Sequence, residues 1–273
     1  MPELPEVETV RRKLEKKLKG RCLKEIDIIY PRIFEGDDLD FVKKSLVGEH
    51  ILGLKRRGKW LIFEFDDYYL LSHLRMEGKY LYRNAKDEVK KHEHVRFIFD
   101  DDFDLRYQDV RKFGRMHLIK KDALEKNPHF AKLGYEPWDP NLTKEYLLDC
   151  YKSRNLPIKT VLLDQSIITG IGNIYADEVL FLSKINPFRK AKDLTGDECE
   201  QIITNTRKVL EKAILEGGTT IRSYTSEEGV SGLFQNDLLV HKREGCECRV
   251  CNNIIKRVKI GGRSTYYCDK CQK

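Results

Sequence analysis

Residues able to do chemistry gather at three places in this 273-residue chain. The first is the start, MPELPEVETVRR. Methionine before a small residue such as proline is normally removed, which leaves Pro2 with a free secondary amine. An α-amino group titrates at about 8, against about 10.4 for lysine, so far more of it is neutral and nucleophilic at pH 7. Such an amine condenses with an aldehyde to an iminium, an electron sink, and Glu3 beside it can move protons. The bland alternative is a helix lead-in, with Pro5 in the first turn.

The second place is near the other end. Cys248-x-x-Cys251 is followed after sixteen residues by Cys268-x-x-Cys271. Two such knuckles at this separation predict one structural Zn2+, because four thiolates fill a tetrahedron and leave no open catalytic position. The intervening IIKRVKIGGRSTYY reads as a β-hairpin turning at Gly261-Gly262. So short a ribbon cannot bury a stable core, and the metal must supply folding free energy. Cys246 falls outside the spacing and reads as a bystander. Cys22, Cys150 and Cys199 read as small core hydrophobes. A disulfide or redox pair is the alternative, and the clustering argues against it. Arg263 stands beside the two glycines, where it can reach a phosphate or simply be solvated.

The third is TGIGNIYADEVLF. Glycines let backbone approach a ligand, and Asn173 opens an apolar helix whose N-terminus favours an anion. Two glycines without a preceding strand do not make a dinucleotide fingerprint. The helical IKTVLLDQ before them makes a helix–turns–helix unit, a common grip on a nucleic-acid backbone. A tight connection between two core helices is the alternative.

Charge narrows the partner. The chain carries +7 overall. Residues 241–273 hold nine Lys/Arg and three acids, so +6 lies in that tail and +1 on all the rest. A basic end of this kind suits nucleic acid, although a solvated lysine-rich tail has the same composition. No run of about 18 apolar residues occurs, so no membrane span is expected. The acidic, proline-bearing start is no secretory signal, so the expected compartment is the cytoplasm.

These residues need elements to hold them. Leu4, Val7, Val10, Leu14 and Leu18 recur at helical spacing, which predicts a helix over 5–19. From Cys22 to Leu118 short β-rich runs follow, including IDIIY, HILGLKRR, KWLIFEF, YYLLSHL, VRFIF and FDLRY, with a helix near Asp37–Leu46. Helices are predicted over Thr143–Tyr151, Pro157–Leu163, Asn173–Leu182 and Thr195–Glu216, the last with a Thr195/Glu198 capping box. The fold class is therefore α+β: an N-terminal helix on an antiparallel β-sandwich, a helical helix–two-turns–helix domain, and a four-cysteine zinc ribbon. The expected boundaries are 1–126, a linker at 127–142, 143–240 with a mobile loop at 219–240, and 241–273.

PELPEVETVRR, SHLRMEGKY, DVRKFG, GIGNIYADEVLF and the zinc ribbon, in that order from residue 2 to 272, closely resemble the bacterial formamidopyrimidine-DNA glycosylases. Leu4 fits that branch rather than the endonuclease VIII branch, which begins PEGPE. Val110 departs from the family, which often has proline there.

The resemblance implies Pro2 as the nucleophile on the sugar C1′ and Glu3 as the proton donor that opens the ribose. It implies Lys59 in β-elimination and Arg263 in δ-elimination. His92, Arg111 and Arg154 match DNA contacts, and Lys159 and Asn173 match phosphate contacts near the extruded nucleotide. Met76, Arg111 and Phe113 match the side chains that fill the gap in the duplex. Glu77 and the segment Thr219, Thr220, Ile221, Arg222, Ser223 and Tyr224 match the lesion pocket. The implied partner is double-stranded DNA with an oxidised base or abasic site, engaged by a monomer. The implied activity is excision of oxidised purines followed by strand cleavage. An endonuclease VIII-like enzyme for oxidised pyrimidines and a non-catalytic zinc-ribbon binder of damaged DNA remain the alternatives.

Overall fold

The computed structural model describes residues 1–273 except 102, 125 and 220–231. The chain divides into two compact units: Met1–Ala131 with Thr219–Gly232, and Lys132–Gly218 with Leu233–Lys273.

The first unit begins with helix α1 (Leu4–Leu18), one residue earlier than the periodicity predicts. Its stripe of Leu4, Val7, Val10, Leu14 and Leu18 is wholly buried. Each such side chain contributes about 1.5–3 kcal/mol, which outweighs the poor helix propensity of two valines. Strand β1 (Leu23–Ile28) and helix α2 (Leu39–Leu46) follow, and the Asp38 carboxylate caps α2. Then come β2 (Gly53–Arg57), β3 (Trp60–Glu64), β4 (Tyr68–His73), β5 (Lys79–Asn84), β6 (Glu93–Phe99), β7 (Phe103–Gln108) and β8 (Arg115–Lys120). They form two antiparallel sheets of order β1-β6-β7-β5 and β2-β3-β4-β8. Leu61, Phe63, Leu70, Val95, Phe97, Leu105 and Met116 share one core cluster with the α1 stripe. Alternation puts these side chains on the inner face, and on β3, β4 and β7 the opposite face is covered too, with Ile62, Leu71 and Arg106 buried.

A fully buried ion network braces this unit. The Arg106 guanidinium donates to Asp104 and Glu93, and to the backbone carbonyls of Asn84, Asp87 and Glu88. That pairing is what makes a buried charge tolerable. It also pins the connection between β5 and β6, which ends at His92. A short helix, α3 (Pro128–Ala131), closes the unit inside the expected linker.

The second unit holds α4 (Lys144–Tyr151), α5 (Ile158–Leu162), α6 (Asn173–Leu182) and α7 (Gly196–Leu215), with the predicted capping box at Thr195 and Glu198. Strands β9 (Lys256–Ile260) and β10 (Arg263–Tyr267) form the hairpin. The ribbon is not a body of its own. Its Cys248, Ile255 and Cys268 pack with Phe181 of α6 and Val240, so α6 adds apolar burial to whatever the metal supplies. No described helix is long and apolar enough to cross a membrane.

Of the three cysteines read as core, Cys22 and Cys199 are buried, while Cys150 is only partly so. The expected mobile loop at 219–240 falls largely outside the described residues. Its described end contains a short 3₁₀ turn at Phe234–Asn236.

Candidate functional site

In the first unit the chain terminus is held from beneath. One Glu6 carboxylate oxygen accepts the Glu3 N–H at 2.9 Å, which is half of a capping box. The other accepts the N–H of Thr219 at 2.9 Å and its hydroxyl at 3.2 Å. Pro2 and Glu3 are both buried, and Glu3 is only 3% exposed. The Pro2 nitrogen is an amide while Met1 is attached, so the amine exists only once Met1 has gone.

Lys59 sits in the β2–β3 turn, after Gly58. A bridge ties this turn to α1. Arg56 Nε donates to Glu8 on α1 at 3.3 Å, while Arg56 Nη1 donates to the Gly58 carbonyl at 2.9 Å. Burial would push the Glu8 carboxyl up, but hydrogen bonds from Arg11 and Arg12 outweigh it and hold Glu8 below the ordinary carboxylate range. Arg11 also donates to the Leu54 carbonyl of β2 at 3.1 Å. The helix carrying Pro2 and Glu3 and the turn carrying Lys59 are thus fixed by charge-assisted bonds. Lys59 itself is 6% exposed. Behind the turn, Trp60 packs edge-on against His73 at 4.8 Å. Desolvation, then the nearby charges of Arg75, Lys59 and His129, push the His73 imidazole down to about 3.

Two loops of the same unit carry the expected duplex-facing side chains. Met76 and Glu77 are half-buried in the β4–β5 turn, while Arg111 and Phe113 are exposed in the β7–β8 loop. The Arg111 guanidinium lies 4.7 Å from the Phe113 ring centroid, and Phe113 is 47% exposed. His92 is half-buried and has φ +71°, a conformation uncommon for a non-glycine residue.

In the second unit the helix–turns–helix and the zinc ribbon interlock. Asn173 is the first residue of α6, and its side-chain amide donates to the Ser264 carbonyl of β10 at 2.8 Å. A β-carbon on Gly261 would lie 2.8 Å from the Thr160 hydroxyl, so only glycine lets the hairpin tip come this close to α5. Arg263, at the start of β10, is exposed. Gln165 shapes the turns, accepting from Gly170 N and donating to the Leu163 and Ile171 carbonyls. Arg154, about one-third exposed, pairs with Asp164 at 2.9 Å.

Lys159 differs from its expected place as a phosphate contact. It is fully buried, and its ammonium donates to Asp177 at 2.6 Å and to the Asn173 carbonyl at 2.9 Å. Asp177 also meets His241 Nδ1 at 2.7 Å. Next to it, the Glu178 carboxylate accepts the backbone N–H groups of Leu239, Val240 and His241, and burial raises its pKa. Lys159 is a strut under the turns in this arrangement.

Four sulfurs, of Cys248, Cys251, Cys268 and Cys271, lie within 4.8 Å of one another. Two of the separations are 3.9 and 3.4 Å. The edge of a ZnS₄ tetrahedron with Zn–S bonds of about 2.3 Å is about 3.8 Å, so the donor set fits zinc. Cys246 is exposed and outside the cluster, as its spacing predicted.

Of the lesion-pocket segment, Thr219 is buried on Glu6, and Thr220, Ile221, Arg222, Ser223 and Tyr224 lie outside the described residues. Sequence reasoning missed Glu6, Arg56, Gln165, Asp177 and Glu178. Glu6 had a signal: Glu3-x-x-Glu6 is a capping-box spacing at a helix start. Arg56, Asp177 and Glu178 act through contacts distant in sequence that no local pattern announces, while Gln165 bonds within its own turns.

Three family models match nearly the whole chain. They are the formamidopyrimidine-DNA glycosylase N-terminal domain over residues 1–116, the formamidopyrimidine-DNA glycosylase H2TH domain over 133–225, and the zinc finger found in FPG and IleRS over 246–273. The chain is 46% identical to the formamidopyrimidine-DNA glycosylase of Bacillus anthracis over 273 residues, covering 100% of this chain and 99% of that one. Wild-type Lactococcus lactis Fpg (MutM), solved with DNA containing N7-benzyl-Fapy-dG, superposes with a TM-score of 0.93 at 41% identity over 100% of both chains. The complex of Lactococcus lactis Fpg with abasic-site DNA superposes with a TM-score of 0.92 at 40% identity over 99% of each.

Proposed function

This chain belongs to the formamidopyrimidine-DNA glycosylase family, and from that premise we propose that it excises oxidised purines from duplex DNA and then cleaves the abasic strand. The substrates are formamidopyrimidines and 8-oxoguanine opposite cytosine.

The reaction is assigned to this chain's own groups as follows. With Met1 removed, the Pro2 secondary amine attacks the sugar C1′. The C1′–N bond to the base breaks, and its electron pair leaves with the base. Glu3 delivers the proton that opens the ribose ring, and the C1′–N bond to Pro2 becomes an iminium. That cation acidifies the sugar C2′–H. Loss of this proton expels the 3′ phosphate, and a second elimination expels the 5′ phosphate. Lys59 assists the first elimination, and Arg263 assists the second while holding phosphate. His92, Arg111 and Arg154 contact the DNA, and Asn173 serves the backbone phosphates through the start of α6. Zinc, held by Cys248, Cys251, Cys268 and Cys271, closes the ribbon and takes no part in bond changes.

The observation that carries this reading is the anchored terminus. Glu6 fixes the Glu3 backbone, and the Glu8–Arg56–Gly58 bridge fixes the Lys59 turn against the same helix. Beyond the capping box that Glu3 and Glu6 share, a plain helix lead-in needs neither the Glu6–Thr219 bond nor the Glu8–Arg56 tie to the Lys59 turn.

Parallel single-turnover excision from duplexes carrying 8-oxoguanine opposite cytosine and thymine glycol tests the substrate class. Faster release of the purine is expected. Faster release of thymine glycol would place the chain with the oxidised-pyrimidine enzymes.

A further inference from the structure

Asp109 turns both oxygens of its side chain to the loop that follows it. One carboxylate oxygen accepts the Arg111 N–H at 3.0 Å, and the other accepts those of Phe113 at 2.9 Å and Gly114 at 2.8 Å. Its backbone is held as well, since Asp109 N donates to the His92 carbonyl at 3.0 Å and the Asp109 carbonyl meets His94 Nε2 at 2.8 Å. Asp109 is only 1% exposed. A loop whose tip bears an exposed phenylalanine therefore has a backbone fastened from inside.

Tyr107 joins this loop to a second one. Its hydroxyl is wholly buried, donates to Asp109 at 3.5 Å, and lies between two glycines. A β-carbon on Gly114 would come within 1.7 Å of that oxygen, and one on Gly78 within 2.2 Å. Gly114 ends the Arg111–Phe113 loop. Gly78 ends the Met76 turn, its N–H bonded to the Leu74 carbonyl at 3.0 Å. The same hydroxyl is thus in contact with the bare backbone of both loops. Each loop also contains a left-handed non-glycine residue just before a presented side chain, Arg75 at φ +52° before Met76 and Lys112 at φ +57° before Phe113. Such backbone persists only where its surroundings over-determine it.

We propose that Asp109 and Tyr107 are positioning residues that lock the Leu74–Gly78 turn and the Val110–Gly114 loop into one platform, so that Met76, Arg111 and Phe113 meet the duplex as a unit. This rests on the assignment of those three as the side chains that fill the gap when a base is extruded. Extrusion costs stacking energy, which side chains inserted into the gap offset. A preorganised platform leaves no loop entropy to lose at that moment.

The test is a cycle of variants read by single-turnover excision of 8-oxoguanine. Asp109→Asn keeps the shape but turns one acceptor oxygen into a donor. In the otherwise native enzyme it is expected to slow excision by about 10- to 100-fold, the scale of a small misplacement of reacting partners. In a background with Met76, Arg111 and Phe113 all changed to alanine, the same substitution is expected to change the rate by less than about twofold, because its target is gone. Discrimination between cytosine and adenine opposite the lesion is expected to fall with Asp109→Asn.

Equal slowing in both backgrounds, or no slowing in the native one, would overturn the inference while leaving the gap-filling assignment intact. A triple-alanine background that excises at the native rate would overturn both. Should Asp109→Asn fail to fold, Tyr107→Phe, which keeps the ring and loses only the hydroxyl, is read in the same cycle with an expected slowing of about threefold to tenfold.

Discussion

The Glu6 carboxylate accepts the backbone N–H of Thr219 at 2.9 Å, across 213 positions of sequence. Its other oxygen accepts the N–H of Glu3 at 2.9 Å. One buried side chain therefore fixes both the chain terminus and the base of the segment that follows Thr219. Glu6→Gln leaves one of these buried N–H groups without an acceptor, at a cost of about 1–3 kcal/mol. The expected outcome is a lower midpoint in urea unfolding and slower iminium formation with Pro2. Glu6→Gln with native stability and native trapping rate would show that the clamp is idle.

Arg56 offers a second test of the same frame. Arg56→Lys keeps the charge but cannot reach Glu8 and the Gly58 carbonyl with one planar fork. Strand cleavage at a preformed abasic site is expected to slow more than DNA binding weakens, because the Lys59 turn loses its tie to α1. A gel-shift titration beside a cleavage time course measures both.

These two braces mark the limit of what the sequence could say. The α1 stripe, the α6 and α7 bounds and the cysteine spacing were all legible, because each is a local period or a local spacing. Glu6 was half legible as a capping-box glutamate, but its bond to Thr219 was not. Nor could a local pattern show that Lys159 is fully buried on Asp177, or that Tyr107 touches Gly78 and Gly114. The chemical meaning of Pro2 came from the family resemblance, since helix propensity alone favours a plain lead-in.

Lys159→Met would leave the Asp177 carboxylate buried without its ammonium. Breaking a buried pair from one side costs about 3–5 kcal/mol. Denaturant unfolding is expected to show a loss of this size, while the salt dependence of DNA binding keeps its slope. A direct phosphate contact would behave the opposite way, with stability kept and a slope shallower by about 0.9.

Arg263 and the zinc ribbon should separate cleanly. Arg263→Ala is expected to lower the slope of log affinity against log salt by about 0.9, the release of one phosphate contact. Chelation of zinc removes the ribbon's folding free energy, and with it every contact the hairpin makes. Affinity for an abasic duplex is therefore expected to fall further than in Arg263→Ala. Unchanged affinity after confirmed metal loss would contradict this.

His73 gives a pH signature. Its folded pKa is lowered from 6.5 to about 3, so between those values the unfolded chain binds the extra proton. Stability from this group is complete above about 6.5 and is lost as pH falls, at about 1.4 kcal/mol per unit. The melting temperature is expected to drop between pH 6.5 and 5, a window above most carboxylate titrations. His94 and His117, also lowered by burial, act in the same window. His73→Gln is therefore expected to lessen that slope without abolishing it, and a native slope in the variant would assign the effect to other groups.

The central claim is that the reagent is the amine of Pro2. Borohydride trapping on a duplex with an abasic site tests it most directly, with the intact mass of the protein measured alongside. Protein lacking Met1 is expected to form a reduced covalent adduct whose peptide map places the DNA on Pro2. Protein that retains Met1, or carries Pro2→Gly, is expected to lose most of that adduct. No adduct from the Met1-free protein, or an adduct mapped to Lys59, would contradict the account.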